Sequence, residues 1–201
     1  MEHVIFSNAA SFDMAVRTTS ARFANVAFSD GSLLYGWINR FEKHQPLAVP
    51  RNTRRFFISL QESGLICLIA AACAADKHLL IPRLSPDTDL QELQPIAERF
   101  LRYHGYEPRH YESETEARAN IESDIAEAKY PLLITPLDTA GEKPYEEFVG
   151  AGEHVVETGL ADLLEVQHKP CNRDNFLRFL STVRKWVNDP MESITKDEII
   201  S

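Results

Sequence analysis

Cysteine is scarce in this chain and has no pattern. The three residues, Cys67, Cys73 and Cys171, are odd in number and show no C-x-x-C spacing, which argues against a disulfide framework and a zinc site and leaves reduced thiols as the expectation. The seven histidines show no H-x-x-x-H or comparable spacing, so no metal site is expected. Positive charge is in deficit too, with 21 Lys and Arg against 30 Asp and Glu and a net charge of −9. Sequence-independent nucleic-acid binding rests on neutralising phosphates, so that function class is excluded as an expectation. No apolar run reaches the roughly 18 residues of a membrane helix, the longest candidate being Leu65 to Ala75. The start, M-E-H-V-I-F-S-N-A-A, lacks the basic region of a signal peptide. A cytoplasmic location without membrane or nucleic-acid partners follows as the expectation.

What remains is an ordinary folded composition. The chain has 201 residues, 44% hydrophobic and 25% charged, enough for one core or one core plus an appendage. Met1 to Phe12 reads as an amphipathic helix without an N-cap. Thr18 to Val26 reads as a strand, and Gly31 to His44 as a helix with apolar spacing at Leu33, Leu34, Trp37, Ile38 and Phe41, stopped by Pro46. Leu47 to Val49 and Arg54 to Leu60 are two short extended pieces around a polar turn. Ser59 with Glu62 forms a capping box for a helix to Ala75 that is apolar nearly all round and predicted to be buried. Lys77 to Pro82 is a strand. A helix over Asp89 to His104 ends at Gly105, the strand Tyr106 to Tyr111 follows, and then the acidic helix Glu114 to Lys129 and the strand Pro131 to Thr135. Gly141 to Phe148 reads as a turn into a short helix, His154 to Thr158 as a short strand, and Asn172 to Asn188 as a last amphipathic helix stopped by Pro190. Strands alternating with helices make the fold class α/β.

Chemistry concentrates between Arg22 and Ser59. A strand ends in the loop S-D-G-S at Ser29 to Ser32, a helix follows, and then come Arg51, Arg54 and Arg55. Ligands of open α/β sheets collect at the carboxyl ends of strands, which places Asn25, Ser29 and Ser32 where a ligand would lie. Helix amino termini attract anions, and planar guanidinium groups suit diphosphate oxygens. Each residue also has a plain reading: Asn25 as a turn former, Ser32 as an ordinary N-cap, the arginines as partners of surface carboxylates. Glu142, Glu146 and Glu147 read as solvated acids. Gly150-Ala-Gly152 begins like a dinucleotide fingerprint, but Val155 stands where the third glycine belongs.

Three motifs carry a resemblance. R-F-A-N-V at Arg22 to Val26 with S-D-G-S, then T-R-R-F-F-I-S-L-Q-E from Thr53, then G-E-K-P-Y-E-E-F from Gly141 followed by V-V-E-T, resemble in order and spacing the nucleotide-sugar 4,6-dehydratases and epimerases of polysaccharide biosynthesis. The type is UDP-N-acetylglucosamine 4,6-dehydratase, within the extended short-chain dehydrogenase/reductases. The resemblance covers Met1 to Val166, so residues 1–166 are expected to be the carboxyl-terminal part of such an enzyme, with its small substrate-binding lobe, and 167–201 a separate helix and tail. It implies a partial Rossmann-type fold and a UDP-sugar ligand. Asn25 and Arg55 would contact its phosphates, with Arg54 as the alternative register. Ser29 and Ser32 would lie over the substrate, and Glu142 and Lys143 near it. The complete family enzyme abstracts a hydride from C4 of the sugar with NAD or NADP, eliminates water across C5 and C6, and returns the hydride to C6. Its glycine-rich cofactor loop and its Tyr-x-x-x-Lys pair have no counterpart here, since Asn39, Glu107, His110, Thr115, Ile134 and Val149 stand four residues after the tyrosines. The expectation is therefore a chain with no catalytic residue and no cofactor of its own. It would bind a UDP-sugar weakly or not at all, show no turnover alone, and pair with a Rossmann-domain chain or with further copies of itself. The alternative expectation is a non-catalytic interaction or regulatory module derived from this fold.

Overall fold

A computed structural model describes residues 2, 5, 6, 17–137, 145–150, 152–168 and 172–188. The chain divides into two compact units, one of Thr19–Gln167 and one of Met1–Thr18 with His168–Ser201. No helix among the described residues is long and apolar enough to cross a membrane.

The larger unit is mixed α/β. Its first core forms around a three-stranded parallel sheet of order β3-β9-β8, made of β3 (Leu47–Pro50), β8 (Glu107–Tyr111) and β9 (Lys129–Thr135). The register places Leu47 beside Leu132 and Val49 beside Ile134. β9 is buried from Tyr130 to Ile134, as expected of a strand with neighbours on both edges. Helices α1 (Leu33–Glu42) and α3 (Leu93–Tyr103) bury Leu34, Trp37, Leu93, Ala97 and Leu101 in the same core. Each large aliphatic side chain buried there contributes about 1.5–3 kcal/mol. Trp37 donates its indole Nε1 to the Ala48 carbonyl at 2.9 Å, so the core holds this polar edge without an unpaired donor. β8 reaches β9 through α4 (Glu114–Ala119) and α5 (Ile121–Ala126), two short helices where the sequence reads as one. The break lies at Asn120, whose side chain bonds back to the Glu116 carbonyl at 2.9 Å. On α5, fully buried Asp124 accepts from Arg109 at 2.7 Å and from the Tyr111 hydroxyl at 2.8 Å.

A second core lies under a four-stranded sheet of order β1-β6-β11-β10. β1 (Ser20–Ala21) runs parallel to β6 (His78–Pro82), and β6 pairs antiparallel with β11 (Leu163–Gln167), which forms a hairpin with β10 (His154–Glu157). Helix α2 (Leu60–Cys73) packs on β1 and β6. Its capping box is formed, Glu62 donating its amide to Ser59 Oγ at 3.1 Å and Ser59 its amide to Glu62 Oε2 at 2.6 Å. The expected all-round burial of α2 is corrected. Only Ser63, Ile66 and Ala70 are buried, while Leu60 is 70% and Leu68 64% exposed. One face meets the sheet, and Leu60, Leu65 and Leu68 on the other are exposed.

The expected strand Thr18 to Val26 is two strands, β1 and β2 (Asn25–Val26), which leave for different sheets. β2 runs parallel to β5 (Phe57–Ile58). β4 (Arg54–Arg55) pairs with β7 (Gln91–Glu92), which delays the start of α3 to Leu93. In the smaller unit, Phe6 is buried and stacks on His168 with ring centroids 4.5 Å apart. Helix α6 (Arg173–Asn188) starts after Asn172, whose Oδ1 accepts from the Asp174 and Asn175 amides.

Candidate functional site

The β2–β5 pair brings the two sequence candidates together. Asn25 lies beside Phe57 in the parallel register, and its amide donates to the Phe56 carbonyl. Arg55 precedes that strand by two residues, so the Asn25 carboxamide and the Arg55 guanidinium reach one cavity of about 370 Å3. Leu33 and Leu34, at the amino terminus of α1, line the same cavity, as do Ser32, Pro50 and Thr135. Ser32 is the N-cap and accepts the Tyr35 amide at 3.2 Å. The two amides before it, of Leu33 and Leu34, have no intrahelical partner, as in any first turn. A carboxamide, a guanidinium and a helix amino terminus thus face one space.

A fourth group was read in the sequence as a solvated acid. The Glu146 carboxylate oxygen Oε1 accepts from Asn25 Nδ2 at 2.9 Å and from Arg55 Nε at 2.9 Å. Its Oε2 is buried and has no hydrogen-bond partner. Two contacts hold this segment in place. Arg22 donates Nη1 to the Phe148 carbonyl at 2.7 Å and forks onto Glu153 at 2.6 and 2.7 Å, and the Phe148 ring packs on Phe56 at 5.5 Å. The signal in the sequence was the position of Glu146 within G-E-K-P-Y-E-E-F, a motif that was read for its first two charges.

The remaining candidates lie apart or outside the described residues. Ser29 sits in the loop before α1 and donates its hydroxyl to the Val26 carbonyl at 2.9 Å, closing a turn without lining the cavity. Arg54 points from the opposite side of β4, its guanidinium 5.8 Å from the Tyr145 ring centroid. Arg51 is exposed and paired with Glu112. Glu142, Lys143 and Cys171 lie outside the described residues. Among the described residues no group of His, Cys, Asp and Glu could hold a metal ion. The turn at Gly152 leads into strand β10 and not into a helix whose amino terminus could meet a diphosphate.

A larger cavity, about 710 Å3, lies between α1 and α3 among Phe28, Trp37, Phe41, Phe100 and Tyr103. Its walls are mostly apolar, with Glu42, Arg99 and His104 also among the lining residues. Phe28, at its edge, is 54% exposed and adopts a left-handed φ of 58°.

Among solved structures, the chain is similar to Pen from Bacillus thuringiensis, with 17% identity and a TM-score of 0.61 over 91% of this chain. The chain spans 55% of the length of that structure. At this identity the likeness establishes the mixed α/β fold. No curated protein sequence matches the chain. The family model described as polysaccharide biosynthesis protein matches residues 1–168, which contain both cores, the cavity lined by Asn25 and Arg55, and Glu146 bonded to these two. The chain belongs to the polysaccharide biosynthesis protein family.

Proposed function

We propose that this chain supplies the nucleotide-sugar seat of an enzyme of the UDP-N-acetylglucosamine 4,6-dehydratase type. The carrying observation is the convergence of Asn25, Arg55 and the amino terminus of α1 on one cavity. A guanidinium can donate to two oxygens of a diphosphate, the carboxamide can donate to a third, and the helix end adds positive potential. Membership of a polysaccharide biosynthesis family supports a sugar nucleotide as the anion. Arg55 is the better phosphate reader of the T-R-R pair, because it lines the cavity and Arg54 does not. Glu142 and Lys143 remain substrate-side candidates through the G-E-K motif alone.

The chain's own part is binding and orientation. The family's Tyr-x-x-x-Lys pair has no counterpart among these residues, and turnover by this chain alone is not expected. UDP added to the chain should raise its melting temperature, because a ligand that binds only the folded state stabilises it by mass action. An unchanged melting temperature at millimolar UDP contradicts the reading.

The second reading, an interaction module without ligand, draws on α2. Its exposed Leu60, Leu65 and Leu68 form an apolar face of the kind that partner chains cover. The same UDP titration separates the two readings, since an interaction module leaves the melting temperature where it was.

A further inference from the structure

Resting on the nucleotide-sugar reading, we propose that Glu146 is a built-in competitor of the ligand's diphosphate, an internal anion that holds the Asn25 and Arg55 side chains of the seat until a ligand displaces it. One carboxylate oxygen accepts from Asn25 Nδ2 at 2.9 Å and from Arg55 Nε at 2.9 Å, while Asn25 Nδ2 also donates to the Phe56 carbonyl at 3.2 Å, so the carboxamide is fully engaged and the guanidinium engaged at one edge. A carboxylate and a diphosphate cannot share these donors without placing like charges in contact, which is costly in a partly desolvated cavity.

The carboxylate is also poorly satisfied where it lies. Its second oxygen is buried without a partner, although a carboxylate can accept at both oxygens. Its side chain is 38% exposed, so a change of rotamer carries it to water without unpacking a core. The rest of its segment is pinned by the Arg22 fork and by Phe148 on Phe56, so displacement moves the side chain and leaves the segment in place. The empty seat is thereby kept folded, with Arg55 held in its reach, and an anion must compete for it. Weak anions with a single charge fail this competition. A diphosphate, with more oxygens and more charge than the carboxylate, succeeds. The device filters for multiply charged phosphates over the monovalent anions abundant in any cell.

The test is calorimetric titration of the full chain and of its Glu146→Gln and Glu146→Ala variants with UDP and, separately, with inorganic pyrophosphate. Competition predicts that both variants bind both ligands more tightly, on the order of tenfold. Glutamine keeps the hydrogen-bonding shape and removes the charge, so its gain is electrostatic, and alanine checks that the gain does not depend on a new side-chain contact. Pyrophosphate has no ribose, so an equal gain for both ligands places the competition at the phosphates. Wild-type binding that is unchanged or weakened in both variants overturns the inference and leaves the seat itself standing, with Glu146 acting alongside the ligand. Absence of binding by all three proteins overturns both.

Discussion

Arg22 and Glu153, 131 residues apart, meet through a two-pronged contact at 2.6 and 2.7 Å, and the same guanidinium donates to the Phe148 carbonyl. Glu153 is only 10% exposed. Truncating Arg22 leaves that carboxylate largely desolvated and without its guanidinium, though it still accepts the Gly150 amide at 2.7 Å, so Arg22→Ala should cost about 3 kcal/mol in urea denaturation. Arg22→Lys should recover only part of it, because an ammonium cannot reproduce the fork. A lysine variant as stable as wild type would mean that the geometry of the contact is unimportant.

The amino terminus of α2 is held by a reciprocal cap. Ser59→Ala should cost about 1 kcal/mol of stability by denaturant titration. The hydrogen bonds from Ser59 to Glu62, the backbone amide first, hold the Glu62 carboxyl below its ordinary pKa. A depressed folded pKa contributes stability above the unfolded value near pH 4 that is lost as pH falls through the folded one. The difference between wild type and Glu62→Gln should therefore shrink on acidification below pH ~4. A constant difference down to pH ~2 would remove the charge from the account.

Tyr130 is 1% exposed and its pKa is pushed up to about 12, by burial first and by Tyr106 second. A raised folded pKa leaves stability intact below the unfolded value of about 10 and removes it as pH rises from there towards the folded pKa. Tyr130→Phe loses the hydrogen bond to the Gln45 carbonyl at 3.0 Å, worth about 1 kcal/mol at neutral pH. Melting temperatures of the two proteins should then converge between pH ~10 and ~12. Parallel curves across that range would contradict a buried phenol that resists ionisation.

Helix α2 offers a test of exposure. Leu68→Glu should change stability by no more than about 0.5 kcal/mol, the scale of surface substitutions. Ile66→Ala, on the buried side, should cost about 2–5 kcal/mol. Equal losses at both positions would show that the outer face is covered in the isolated chain.

How much of this was legible in the sequence depended on how local the determinants are. The Ser59–Glu62 box, the Ser32 cap and the apolar spacing of α1 are set within one or two turns, and the structure agrees with each. Leu65 to Ala75 is apolar on every side, so its pattern names no face, and full burial was the wrong inference. Thr18 to Val26 looks like one strand because every residue suits an extended backbone. Its division follows from two partners, β6 and β5, whose paired residues lie 59 and 32 residues downstream. Strand β11 was missed because L-L-E-V-Q is short and has only a weak alternation, and its place depends on β6. At the site, Asn25, Ser32 and Arg55 could be named from one continuous stretch. Glu146 stands 121 residues from Asn25, and only the folded chain brings them together.

The central claim is that Arg55 reads a diphosphate in the cavity it shares with Asn25 and the amino terminus of α1. Calorimetric titration of wild type and Arg55→Ala with UDP tests it most directly. The account predicts measurable binding by wild type and a loss of at least about tenfold in the variant, as expected for removal of a charge-assisted hydrogen-bond donor. Equal affinity in the two proteins would contradict it.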